Sequence, residues 1–155
     1  MIDRNEFAEP ADVLLVEPSP DAAAWIRDGL TDDRAKTTVH AVSTGDDALA
    51  FLERRGEYAD APAPCLVLLR CDLPESGPDG FDVLEAISEE PSIDRVPSIA
   101  LLETLSDDAV GEAYQRGANA VVPTPTDRAK LVETMELVAQ FWIATARLPN
   151  RIDRA

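Results

Sequence analysis

Short apolar runs alternate with helix-spaced apolar stripes along most of the chain, and this alternation constrains the fold more than any other feature. Asp12 to Glu17 and Cys65 to Leu69 hold the runs Val13-Leu14-Leu15-Val16 and Cys65-Leu66-Val67-Leu68-Leu69, which read as strands buried on both faces. Thr37 to Val42 alternates as a second strand, Ser98 to Leu102 reads as a fourth, and Ala120 to Val122 as a short fifth. Between them lie stripes at spacings of three and four: Ala22, Trp25, Ile26 and Leu30, then Ala48, Phe51 and Leu52 ahead of Gly56. Phe81, Leu84 and Ile87 mark a third helix, and Val110, Ala113 and Tyr114 a fourth that Gly117 closes. Ser19-Pro20 supplies an N-cap and first-turn proline for the first helix, and a long final helix is expected from Thr126 onward.

Five strands alternating with five helices predict a doubly wound parallel sheet with helices on both faces. Ligands of such sheets bind outside the carboxyl ends of the strands. Glu17, Arg70, Leu102 and Thr124 are expected to meet there. At 155 residues the chain is read as one domain over 12–146, with tails at 1–11 and 147–155.

Thirty acidic residues against fourteen basic ones give a formal net charge of −16, and Lys36 and Lys130 are the only lysines. The acids are scattered over helices and loops, which points to a generally acidic surface suited to high salt. Nucleic-acid binding is disfavoured, because counterion release needs a basic face. No apolar stretch is long enough to span a membrane and no basic-then-apolar leader opens the chain, so a cytoplasmic location is expected. Cys65 and Cys71 form no CxxC pair and are read as reduced; His40, the single histidine, is read as structural.

Three segments carry a resemblance. Cys65-Leu66-Val67-Leu68-Leu69-Arg70 is followed by Asp72-Leu73-Pro74 and a turn ending Asp79-Gly80; Val13 to Glu17 precede it, and Pro123-Thr124-Pro125 follow. Together they resemble the receiver domain of two-component response regulators, which implies a flavodoxin-like fold. Phe51 to Pro62, and Phe141-Trp142 followed by Arg147-Leu148-Pro149, look like the stand-alone receivers associated with phytochrome-type and other sensor kinases, abundant in haloarchaea. Receivers hold Mg²⁺ with two acids after the first strand and phosphorylate an aspartate that ends the third. A hydroxyl residue after the fourth strand and a lysine after the fifth hold the phosphoryl oxygens.

Carried over position by position, the resemblance keeps little of that chemistry. Glu17 matches the first acid, and Pro18 replaces the second. Arg70 replaces the nucleophile, Leu102 the hydroxyl residue and Thr124 the lysine, while Val121 replaces an aromatic that reports phosphorylation. The loop through Glu75-Ser76-Gly77-Pro78 is longer than the family pattern. Pro125 matches a proline whose preceding peptide is often cis in receivers, which implies a cis Thr124–Pro125 bond.

An aspartyl phosphate needs a carboxylate nucleophile, a metal with oxygen ligands to offset charge, and donors aimed at the oxyanions. Arginine supplies a permanent cation and no carboxylate. Its role is expected to be structural, pairing with Glu17 or Asp72 in place of the missing metal; a solvent-facing side chain or an anion or partner contact are the alternatives. No metal, cofactor or catalytic residue is expected. Asp72 could be a substitute phosphoacceptor, but it is read as a loop acid or a partner of Arg70.

The final helix carries two stripes. Leu131, Met135, Val138 and Trp142 are expected to pack on the sheet, while Leu137, Phe141, Ala144 and Leu148 form a second face. That face implies cover by the C-terminal segment, or by a second copy or signalling partner such as a sensor histidine kinase or another regulator. The resulting expectation is a phosphorylation-independent pseudo-receiver acting as a binding module; the alternative is an active phosphoacceptor using another acid such as Asp72.

Overall fold

The computed structural model describes residues 11–31, 37–71, 77–90, 93 and 96–144. Strands β1 (Ala11–Val16), β2 (Thr37–Val42), β3 (Leu66–Arg70), β4 (Ser98–Leu102) and β5 (Ala120–Pro123) alternate with helices α1 (Pro20–Leu30), α2 (Gly45–Glu53), α3 (Gly80–Glu89), α4 (Asp107–Gln115) and α5 (Arg128–Val138). The strands form one parallel sheet in the order β2-β1-β3-β4-β5. This is the flavodoxin-like architecture expected. β1 begins one residue earlier than the sequence suggests; tail residues 1–10 and 147–155 lie outside the described residues.

Side-chain alternation along each strand divides the core into two layers. Leu14, Val16, Val67, Leu69, Ala100 and Leu102 face α2, α3 and α4, meeting Phe51, Leu52, Leu84, Ile87 and Ala113. Val13, Leu15, Leu66, Leu68, Ile99 and Leu101 face α1 and α5, meeting Ile26, Leu30, Leu131, Met135 and Val138. Each large aliphatic side chain removed from water contributes roughly 1.5–3 kcal/mol, so this double layer supplies the rigidity that fixes the strand ends.

Local chemistry sets the helix starts. Ser19 accepts from the Ala22 amide, and Asp79 and Asp82 form a reciprocal capping box at α3. Asp127 accepts from the Lys130 amide and so delays α5 until Arg128, two residues after the expected start. α5 then ends in a π-type turn over Ala139–Ile143, where the Ala144 amide reaches back to the Ala139 carbonyl. The helix stripes also shift slightly. Ala23 and Gly29 are buried on α1 while Ala22 and Trp25 sit at the rim. On α4 only Ala113 is buried, and Tyr114 is 51% exposed, because one residue turns a helix face by about 100°.

Two glycines permit close approaches that matter for the site. A Cβ on Gly29 would lie 2.5 Å from Met135 Cβ and 2.6 Å from the Val132 carbonyl oxygen, so α1 and α5 meet through bare backbone. A Cβ on Gly80 would lie 2.5 Å from the Arg70 carbonyl oxygen, which lets the start of α3 press directly behind the end of β3. His40 pairs with Asp12 at 2.9 Å and packs on Phe51, and Cys65 and Cys71 are buried cysteines that form no disulfide.

Candidate functional site

The carboxyl ends of β1, β3 and β5 are joined by one guanidinium. Arg70 is the last residue of β3 and is 8% exposed. Its Nε and Nη2 donate to Glu17 Oε1 at 3.0 and 2.8 Å, and Nη1 bonds the Thr124 hydroxyl oxygen. Glu17 and Thr124 are themselves buried, at 5% and 2% exposure.

Strand alternation explains the convergence. Arg70 has the parity of Leu66 and Leu68, and Glu17 that of Val13 and Leu15. Thr124 has the parity of Ala120 and Val122, which pack in the same layer. Carried one step past β1 and β5, this places all three side chains over the α1–α5 layer. Backbone bonds hold them there: the Glu17 amide donates to Val42 and the Thr124 amide to Leu102, at 3.0 and 2.9 Å. Glu17 Oε2 accepts from the Ser19 amide at 3.2 Å, which ties the site to the N-terminus of α1.

Leu102 does not join this group through its side chain. Its opposite parity turns the side chain into the α2–α4 layer, where it is 3% exposed, and only its carbonyl reaches toward the site. The expectation that it meets Glu17, Arg70 and Thr124 is corrected accordingly. Pro18 and Pro125 are partly buried beside the group. Among the described residues there is no cis peptide bond, so the expected cis Thr124–Pro125 bond is also corrected. The trans form is the intrinsic preference of an X–Pro bond, by about 0.5–1 kcal/mol. Asp72 lies outside the described residues.

Electrostatically the group is neutral: one carboxylate and one guanidinium, both removed from water and hydrogen-bonded. One Glu17 oxygen accepts two guanidinium N–H groups and the other a backbone N–H. A fixed cation therefore stands beside the only carboxylate described at the site, and this donor set does not fit a divalent metal. Among the described residues no group of three His, Cys, Asp or Glu could hold one. Arg70 offers nothing that can become an acyl phosphate.

Residues 13–136 fit the family model described as the response regulator receiver domain. The chain belongs to that family. Response regulator Rcp1 of Synechocystis is 29% identical over 145 residues, covering 94% of this receiver and 97% of its own length. The solved Mn²⁺-bound form of Rcp1 superposes with a TM-score of 0.84 at 29% identity, over 90% of this chain and 99% of that one. The phosphorylated cyanobacterial phytochrome response regulator RcpA gives 0.86 at 29% identity, over 91% and 99%.

The bond from Arg70 to Thr124 is not anticipated in the sequence, although residues 17, 70 and 124 each have the parity of the residues of their own strand that face the α1–α5 layer. On the final helix Leu137 and Phe141 are 62% and 54% exposed, and Ala144 is exposed beside them; Leu148 lies outside the described residues. Leu105 and Tyr114 are further large exposed apolar side chains that the sequence did not single out as surface. Among the described residues no helix is long and apolar enough to cross a membrane.

Proposed function

We propose that this receiver is a pseudo-receiver: a phosphorylation-independent protein-interaction module in signal transduction, without enzymatic activity of its own. One observation carries the reading. The residue ending β3 is a buried arginine engaged by Glu17 and Thr124, where a phosphoacceptor site needs a free carboxylate beside a metal. Glu17, Pro18, Arg70, Asp72, Leu102, Thr124 and Pro125 are then the remains of a phosphoacceptor pocket. The competing reading, in which another acid such as Asp72 accepts phosphate, has to supply the metal and oxyanion donors from elsewhere.

Such a module signals by binding a partner, such as a sensor histidine kinase or another regulator. Leu137, Phe141, Ala144 and Leu148 are the proposed contact face for that partner or for a second copy. The described part of this face is exposed on α5 and the turn that follows it. The net charge of −16 with two lysines supports a halophilic source and a high-salt cytoplasm as the working medium.

Capture of partners in molar KCl, with and without acetyl phosphate and Mg²⁺, tests this function. The same partner should be retained equally in both conditions. A partner bound only after phosphodonor treatment would favour the Asp72 reading.

A further inference from the structure

We infer that Arg70 is a cross-strand latch that holds the strand-end loops in one arrangement, so that this receiver has lost conformational switching along with phosphorylation. The inference rests on reading the site as degenerate and adds a statement about regulation.

The sheet order places β3 next to β1 on one side, but β4 separates it from β5 on the other. Arg70 therefore reaches past the end of β4 to bond Thr124, while its other edge holds Glu17 beyond β1. One side chain links connections that begin α1 and α5. The first link continues through Glu17 to the Ser19 amide at the cap of α1. The second continues through the Thr124 amide to the Leu102 carbonyl at the end of β4.

Each of these bonds joins two groups of the chain itself, in a setting from which solvent is nearly excluded. A reversible switch needs a group that arrives and leaves, with different contacts in each state. Here the cation is covalently part of β3. Its fork geometry also matters: a guanidinium can hold an acid on one edge and a hydroxyl on another, whereas an ammonium is a point donor on a flexible stem. The latch therefore depends on arginine as such and not on positive charge alone.

Amide hydrogen exchange on the full chain in molar KCl tests this. The Thr124 amide reports the β5 end, and the Ser19 amide the β1 end. In Arg70→Lys the charge still reaches Glu17 but cannot span to Thr124, so Ser19 should keep its protection while Thr124 exchanges at least about tenfold faster. The paired variant Glu17→Met with Arg70→Met removes both charges and guards against misfolding; there Thr124 should again exchange faster while amides of β1 and β3 remain protected. Wild-type protection of Thr124 in either variant would overturn the latch and leave Arg70 a plain ion-pair partner. That outcome is separate from failure of the pseudo-receiver reading, which shows instead as a phosphoryl mass gain on the wild-type chain.

Discussion

Replacing Arg70 by methionine should destabilise the fold far more than replacing Arg70 and Glu17 together. The guanidinium and carboxylate lie 2.8 Å apart with side chains only 10% and 3% exposed. At an effective dielectric of about 20, their gross attraction is about 6 kcal/mol, and desolvation of the two ions offsets most of it. Removing Arg70 alone leaves Glu17 buried without its counter-charge, which costs about 3–5 kcal/mol. For a domain of this size that lowers the melting temperature by roughly 6–20 °C. The double replacement by methionine removes both desolvation penalties and should return to within about 1–2 kcal/mol of wild type, or exceed it. Urea denaturation of the wild type, both single variants and the double variant, all in molar KCl, gives the coupling energy directly. A loss below about 1 kcal/mol for Arg70→Met, or additive single effects, would mean that water or another group serves Glu17 and that the pair is not coupled as described.

Other expectations follow from packing and charge. Gly29→Ala drives a Cβ into Met135 and the Val132 carbonyl and should cost about 1–3 kcal/mol in the same denaturation assay; an unchanged midpoint would mean α1 and α5 separate freely. Thermal melts should rise between dilute buffer and molar KCl, because screening weakens repulsion among the scattered carboxylates, and a flat response would count against halophilic adaptation. Phe141→Glu should weaken dimer or partner association by about one to two orders of magnitude, from roughly 1.5–3 kcal/mol of lost apolar burial, with the melt unchanged. Unfolding by that substitution, with light scattering showing a monomer beforehand, would assign Phe141 to the core instead.

Much of this architecture is legible in the residue order. β1 and β3 announce themselves as continuous apolar runs because both faces of a central parallel strand are covered, and Ser19 and Gly117 mark helix ends by local chemistry. The pairing of Arg70 with an acid was also readable, since a buried cation needs a counter-charge and Glu17 and Asp72 were the candidates. What was not read was which strand ends share a face. Thr124 is expected at the strand ends as the residue in the lysine's place; its parity with Ala120 and Val122 brings its hydroxyl to Arg70, while Leu102 turns to the opposite layer. The expected bond isomer before Pro125 came from resemblance alone and had no local physical signal behind it. Tyr114 helps mark α4 in the sequence yet is exposed, because an apolar residue adjacent to a buried one satisfies helical spacing without lying on the buried face.

The proposed pseudo-receiver role rests on the buried Arg70–Glu17–Thr124 group having replaced a phosphoacceptor site. Intact-mass measurement after incubation with acetyl phosphate and Mg²⁺ tests it most directly, on the wild-type chain and on Arg70→Asp. The wild type should keep its mass. The variant regains a carboxylate but still lacks a hydroxyl at Leu102 and an ammonium at Thr124, so it too should fail to phosphorylate efficiently. A base-labile gain of one phosphoryl group on the wild-type protein would contradict the account and move attention to Asp72.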